Sequence, residues 1–82
     1  MYRVYVLYSK EIDFLYIEQT QDLKKRLREH REGASFYTRR ARGWRLLYSE
    51  EFSIRSQTLR RDKELKTYRG REFIGATYLS NC

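Results

Sequence analysis

The stretch from Leu15 to His30 constrains the fold more than any other part of the chain. It opens with bulky strand-forming side chains at residues 15–17 and continues through polar residues. Thr20 or Asp22 can cap a helix there, because leucines follow at positions 23 and 27, four residues apart. A short strand followed at once by a helix is therefore expected.

The predicted helix carries Arg26 and the single histidine, His30, one turn apart. At about 100° per residue, both side chains fall within about 60° of Leu23, near the edge of the buried face. A guanidinium held at such an edge can bind a phosphate through a fixed fork of donors. Taken alone, the helix is explained more simply by two long polar side chains lying along the core edge. The rest of the chain decides between the two interpretations.

The positive charge of the chain is concentrated in one segment. Eighteen Lys+Arg against eleven Asp+Glu give a net charge of +7, and nine of the eighteen basic residues lie between positions 24 and 45. A segment this basic indicates a polyanionic partner. Within it, aromatic residues are interleaved with arginines over residues 34–43, a pattern that suits stacking on nucleic-acid bases. The alternative is a solvated basic loop with Phe36 against the core.

Composition excludes several classes of protein. Eighty-two residues predict one domain, 1–82, with a single modest core. The hydrophobic share of 40% and aromatic share of 16% argue against a disordered chain. Since Cys82 is the only cysteine, the sequence supports neither an intramolecular disulfide nor a cysteine metal cluster. No apolar run approaches a membrane span and the start lacks a signal-peptide pattern, so a cytoplasmic protein is expected.

Periodicity and turn residues predict strands at 2–8, 14–18 and 44–49, and helices at 22–32, 55–68 and 71–78. The first strand is expected at the centre and the third to be covered on both faces. The polar residues 10–13 are short enough for a hairpin. Gly33 and Gly70 are natural helix ends, and Ser53 or Ser56 can cap the second helix.

The second predicted helix places a carboxylate, Asp62, on an otherwise apolar stripe between Leu59 and Leu65. Such a carboxylate faces the protein or a cleft and needs a partner. The residues leave two possibilities open, which are a buried salt bridge and a ligand for a hard cation such as Mg²⁺.

In this order, these motifs resemble the GIY-YIG nuclease domain, in particular its small stand-alone bacterial group. The resemblance covers about residues 2–74. It is carried by Val4-Tyr5, Tyr16-Ile17-Glu18, Asp22–His30, Tyr37–Arg40 and Leu59–Lys63. The resemblance implies an α+β fold with a small central three-stranded antiparallel sheet flanked by helices. It also implies metal-dependent cleavage of DNA phosphodiester bonds.

Residue by residue, the resemblance implies an active site. Tyr5 and Tyr16 would line it, one of them helping to activate water, and Arg26 would stabilise the phosphate in the transition state. His30 would support the site, and Asp62 stands where the family has a glutamate that binds one Mg²⁺ or Mn²⁺ ion. The predicted nucleic-acid contacts are Lys24, Lys25, Tyr37, Arg39, Arg40 and Arg42.

The sequence departs from the family pattern at three places. Arg3 replaces the glycine of the first motif, Glu18 replaces the closing glycine of the second, and Asp62 is one methylene shorter than glutamate. Glu18 would crowd or repel a phosphate unless it turned outward or paired with a nearby arginine. Two hypotheses therefore stand. The first is an endonuclease acting on DNA, branched or damaged, in repair or recombination, and the second is a nucleic-acid-binding module that has lost catalysis. RNA remains an alternative ligand, an adaptor for an acidic protein is a weaker third hypothesis, and the oligomeric state is open.

Overall fold

The computed structural model describes residues 1–33, 38, 41 and 43–79. Three strands and three helices follow one another, and a π-helical turn at Gly75–Leu79 ends the described part. The elements in chain order are β1 (Tyr2–Ser9), β2 (Phe14–Thr20), α1 (Leu23–Arg31), β3 (Trp44–Phe52), α2 (Arg55–Lys66) and α3 (Tyr68–Ile74). The predicted α+β class with a three-stranded antiparallel sheet is confirmed.

The sheet has the order β2-β1-β3, with both pairs antiparallel. β1 takes the centre because its residues 4–7 are apolar or aromatic and are buried on both faces of the sheet. The predicted hairpin joins β1 to β2. Asp13 adopts a positive φ of 50° in its turn, where its carboxylate accepts a hydrogen bond from the Tyr8 hydroxyl at 2.7 Å.

Side-chain alternation along β1 gives the two faces of the sheet different characters. Val4 and Val6 face the hydrophobic core, which they form with Ile17 and with Leu65 and Ile74 from the two C-terminal helices. The face that carries the intervening side chains, beginning with Tyr5, lies against α1. One face therefore holds the fold together, and the other is free to carry polar side chains.

α1 begins where the sequence predicts. The Asp22 carboxylate accepts a hydrogen bond from the backbone N–H of Lys25 at 3.1 Å, which satisfies one of the free donors of the first turn. His30 is the buried residue of this helix. The cap and the burial of His30 hold α1 against the sheet.

Several local predictions are wrong. β3 is not covered on both faces, because Leu46 lines an open cavity beside α1 and is 40% exposed. The predicted serines do not cap α2, whose N-cap residue is Ile54. The buried residues of α2 are Thr58 and Leu65, whereas Leu59, which was predicted to lie on the apolar stripe, is exposed.

Gly70 does not end a helix but lies inside α3. The helix breaks three residues earlier, at Thr67, whose hydroxyl donates to the Glu64 carbonyl at 2.6 Å and accepts from the Gly70 N–H at 3.1 Å. A Cβ at Gly70 would lie 2.3 Å from the Glu64 carbonyl oxygen. Glycine is therefore required by the close approach of α3 to the end of α2.

Among the described residues, the helices are all too short and too polar to cross a bilayer.

Candidate active site

Side chains from β1, β2 and α1 meet on one face of the sheet. The strand register pairs Tyr5 with Glu18, and Tyr16, two residues earlier on β2, faces the same side. α1 starts three residues after β2 ends, and it turns Arg26 and His30 toward these side chains. We refer to these five residues as the Glu18 cluster.

The Glu18 carboxylate is the centre of the cluster. Arg26 donates from Nε to Oε1 at 3.0 Å and from Nη2 to Oε2 at 3.2 Å, a bidentate pair. The Tyr5 hydroxyl donates to Oε2 at 3.1 Å, and the Tyr16 hydroxyl donates to the same oxygen. The side chains of Arg26 and Glu18 are each 26% exposed, so the pair is accessible from solvent.

A second carboxylate contacts the same guanidinium. Arg26 donates from Nη1 to Glu29 Oε1 at 3.2 Å, three residues further along α1. One positive side chain therefore lies between two negative ones, Glu18 and Glu29. The charges of Glu18 and Arg26 cancel within the cluster, and Glu29 adds one negative charge beside it.

His30 extends the cluster into the interior. Its Nε2 lies 2.8 Å from the Tyr5 hydroxyl oxygen, and its Nδ1 lies 2.7 Å from Oγ1 of the fully buried Thr38. Because the single Tyr5 proton goes to Glu18, Nε2 must carry the proton that it donates to Tyr5, and Nδ1 then accepts from Thr38. Trp44 fixes Thr38 by donating from Nε1 to its carbonyl oxygen at 2.6 Å.

Burial and the neighbouring charges shift the pKa values of this cluster. Burial and the Glu18 carboxylate raise the pKa of Tyr16 to about 12, and the same two causes raise the pKa of Tyr5. Burial by itself would raise the pKa of Glu18, but the hydrogen bonds from Arg26 and Tyr16 lower it overall. Burial, followed by the nearby Arg26 charge, lowers the pKa of His30. At neutral pH the cluster therefore holds an ionised carboxylate, protonated phenols and a neutral imidazole.

The structure brings together four of the five residues expected in the active site, since Tyr5, Tyr16, Arg26 and His30 are all in the Glu18 cluster. Asp62 is not part of this cluster, because it lies on α2, whose Leu65 packs with Val4 and Val6 on the other face of the sheet. One carboxylate oxygen pairs with Lys66 at 3.2 Å, and the other, Oδ1, is buried without a hydrogen-bond partner in the part of the chain that is described.

The predicted nucleic-acid contacts fall into two groups. Lys24 and Lys25 are exposed on α1, the helix that also carries Arg26. The other four lie outside the described residues, namely Tyr37, Arg39, Arg40 and Arg42.

Sequence reasoning missed Thr38, Trp44 and Glu29 as parts of the site. A threonine in a loop without periodicity gives no signal of its own, because its importance comes from the histidine it meets. The contact between Glu29 and Arg26 could have been predicted from the sequence, since residues three apart on a helix are neighbours. For Glu18 the sequence left open repulsion of phosphate, an outward orientation or a pair with a nearby arginine, and the structure shows the pair with Arg26.

A second cluster repeats part of this arrangement on the opposite face of the sheet. The Tyr48 hydroxyl donates to Glu50, Arg61 donates from Nε to Glu50 Oε2 at 3.1 Å, and Arg61 also pairs with Glu64 at 3.2 Å. We refer to these four residues as the Glu50 cluster. It repeats the Tyr-x-Glu of a strand and the Arg-x-x-Glu of a helix. In both clusters, an arginine pairs with a strand carboxylate.

Comparison with known proteins decides the family, because residues 1–73 match the GIY-YIG catalytic domain. The chain belongs to the GIY-YIG family. A UPF0213 protein of Staphylococcus saprophyticus is 33% identical over 66 residues, which cover 79% of each chain. The solution structure of a UPF0213 protein from Bacillus halodurans superimposes with a TM-score of 0.59 and 26% identity, covering 99% of this chain and 90% of that one. The GIY-YIG nuclease fold thus extends over nearly the whole chain.

Proposed function

We propose that this GIY-YIG protein is an endonuclease that hydrolyses DNA phosphodiester bonds with one divalent cation. The observation that carries the proposal is the Glu18 cluster, in which a guanidinium, two phenols and a buried imidazole lie together and the guanidinium is accessible from solvent. Phosphodiester hydrolysis needs a cation on the non-bridging oxygens and an oriented water molecule. The cluster supplies side chains for both tasks.

Each side chain has a distinct role in this proposal. Arg26 binds the scissile phosphate and stabilises the charge that develops on its oxygens. Tyr5 and Tyr16 orient the attacking water through their hydroxyl groups. His30 holds the Tyr5 hydroxyl at 2.8 Å and is itself oriented by Thr38, so the phenol is presented in one direction.

A metal ion fits Asp62 best. Its buried Oδ1 has no hydrogen-bond partner among the described residues, so this oxygen is available to coordinate a cation. These residues contain no group of three or more His, Cys, Asp or Glu side chains that could enclose a metal. Mg²⁺ or Mn²⁺ would therefore be held by this one carboxylate together with substrate phosphate and water, as is usual for such ions. When bound, the ion would neutralise phosphate charge as a Lewis acid.

The charge of the domain supports DNA as the substrate. The chain carries a net charge of +7, and the exposed Lys24 and Lys25 lie on the same helix as Arg26. Phosphate contacts of this kind position a nucleic acid without reading its sequence. Selection by DNA structure, branched or damaged, is therefore part of the proposal, as is a role in cytoplasmic repair or recombination.

One observation favours a second candidate, a nucleic-acid-binding module without catalysis. Glu18 binds the guanidinium that the phosphate needs, and Asp62 pairs with Lys66 rather than with any member of the Glu18 cluster. A domain with these contacts can retain a basic surface and bind DNA or RNA without cleaving it.

Cleavage assays separate the two candidates. Plasmid and branched DNA are incubated with the protein in Mg²⁺, Mn²⁺ or EDTA. If the protein is an endonuclease, nicking should depend on the metal and should be abolished by Arg26→Ala and by Asp62→Ala. Arg61→Ala, which removes the equivalent arginine of the Glu50 cluster, should leave the rate unchanged. DNA binding without cleavage in either metal would instead establish the binding module.

A further inference from the structure

The Glu18 carboxylate already uses the hydrogen-bond donors that a phosphate would need. It takes two donors from Arg26 and one hydroxyl from each of Tyr5 and Tyr16. Carboxylates and phosphates both accept the parallel N–H fork of a guanidinium. Arg26 therefore cannot present this edge to a phosphate while Glu18 remains bound to it.

We propose that the Glu18 carboxylate occupies the place of the substrate phosphate on Arg26, so that a nucleic acid enters the site by displacing Glu18. This inference rests on the proposed function, because it assigns Arg26 to phosphate. It adds a competing group inside the site, supplied by the chain itself.

The exposure of the pair allows the exchange. Arg26 and Glu18 are each 26% exposed, so an incoming phosphate can reach the guanidinium. α1 does not need this pair to stay in place, because Asp22 caps its first turn and the buried His30 anchors its last. Breaking the pair can therefore leave the helix in position.

The charge of the cluster also favours exchange over simple addition. With Glu18 and Glu29 both on Arg26, one positive charge faces two negative charges. A phosphate added to this arrangement would meet net repulsion. Removing Glu18 from the guanidinium lets the phosphate take its place against Arg26 without a third anion.

Displacement would also change the two phenols. Burial and the Glu18 carboxylate together raise the pKa values of Tyr5 and Tyr16, and both hydroxyls donate to that carboxylate. When the carboxylate leaves, both hydroxyls are released to hold water beside the phosphate. Substrate binding and the preparation of the site are then one event.

The test is the isosteric variant Glu18→Gln with Glu50→Gln as its matched control. Each variant removes one negative charge from a strand carboxylate that binds an arginine and a tyrosine, but on opposite faces of the sheet. Binding of a labelled short DNA duplex is measured by fluorescence anisotropy in EDTA over a series of salt concentrations. Without metal, binding is read separately from cleavage.

Glu18→Gln should bind the duplex about tenfold more tightly than the wild type. Its log K should fall with log salt at about the same slope as that of the wild type, because both chains contact the same phosphate with Arg26 once Glu18 has left the guanidinium. Glu50→Gln should show no such gain in affinity. Equal behaviour of the two variants would overturn the inference, since the gain would then come from net charge alone.

A measurement on the wild-type chain guards against a folding defect in the variant. The Arg26 Nε–H resonance, assigned by its loss in Arg26→Ala, should shift when duplex is added in EDTA, and a resonance that stays in place at saturation refutes the exchange. The proposed endonuclease fails separately. If Glu18→Gln binds more tightly but no cleavage is seen in Mg²⁺ or Mn²⁺, the displacement of Glu18 is supported and the endonuclease proposal is refuted. If the wild type cleaves DNA but Glu18→Gln does not bind more tightly, the endonuclease proposal is supported and the displacement of Glu18 is refuted.

Discussion

Replacing Arg26 with alanine should destabilise the folded protein by about 1–2 kcal/mol. Hydrogen bonds to charged groups contribute roughly 1.5–3 kcal/mol each, and Arg26 makes two to Glu18. Since both side chains are 26% exposed, water solvates the ions in part and the net value must be reduced. For a domain of this size, about 1 kcal/mol corresponds to 4–8 °C in Tm.

The contribution of the pair itself is obtained from a double-mutant cycle. The free energy of unfolding is measured by urea denaturation for the wild type, Arg26→Ala, Glu18→Gln and the double variant. Fluorescence of Trp44, the single tryptophan, reports on this region because its ring lies 6.3 Å from that of Tyr16. A coupling free energy of about 1 kcal/mol is expected, since the two residues are in direct contact.

The equivalent cycle on Arg61 and Glu50 is the control. Their side chains are 28% and 32% exposed, close to the values for Arg26 and Glu18, so a coupling of similar size is expected. If the Arg26 and Glu18 changes add to within about 0.3–0.5 kcal/mol while the control pair is coupled, the pair does not form in solution. The reasoning from the Glu18 cluster would then be refuted.

Two further predictions concern the fold. The pKa of His30 is lowered in the folded state, so the stability that it contributes is present above its unfolded pKa of about 6.5 and is lost as the pH falls through the folded pKa. Tm of the wild type should therefore decline below pH 6.5 more steeply than Tm of His30→Gln. Parallel curves of Tm against pH would contradict this prediction. Gly70→Ala should cost about 2 kcal/mol or more in urea denaturation, because its Cβ would lie 2.3 Å from the Glu64 carbonyl oxygen, and an unchanged midpoint would show that α3 can move away.

Local sequence signals predict the part of the site that is made of consecutive elements. β1, the hairpin, β2 and α1 follow one another within 30 residues, and each has a clear period and a recognisable cap or turn. Because alternation places Tyr5 and Tyr16 on one face, and α1 follows directly, their meeting with Arg26 and His30 could be expected. Short connections left the chain few other arrangements.

Other features were missed because they depend on loop conformation or on helix packing, which periodicity does not show. Thr38 reaches His30 from a loop, and no periodic pattern indicates which loop residue will be buried. Gly70 looks like a helix end, but the structure uses it for the close approach of two helices, a requirement visible only once α2 and α3 are packed. For Asp62 the sequence left open a buried salt bridge or a cation ligand, and the structure shows an ion pair with Lys66, which lies one turn away on the same helix and is 49% exposed.

The two clusters show what distinguishes a candidate active site from a structural ion pair in this fold. In each cluster a strand carboxylate accepts hydrogen bonds from a strand tyrosine and from a helix arginine, so this combination alone does not define an active site. The difference comes from β1, the strand shared by both faces. Toward the Glu50 cluster it presents Val4 and Val6, which pack into the hydrophobic core, whereas toward the Glu18 cluster it presents Tyr5, which meets His30. Only one face can therefore surround a phosphate with several groups that donate or exchange protons.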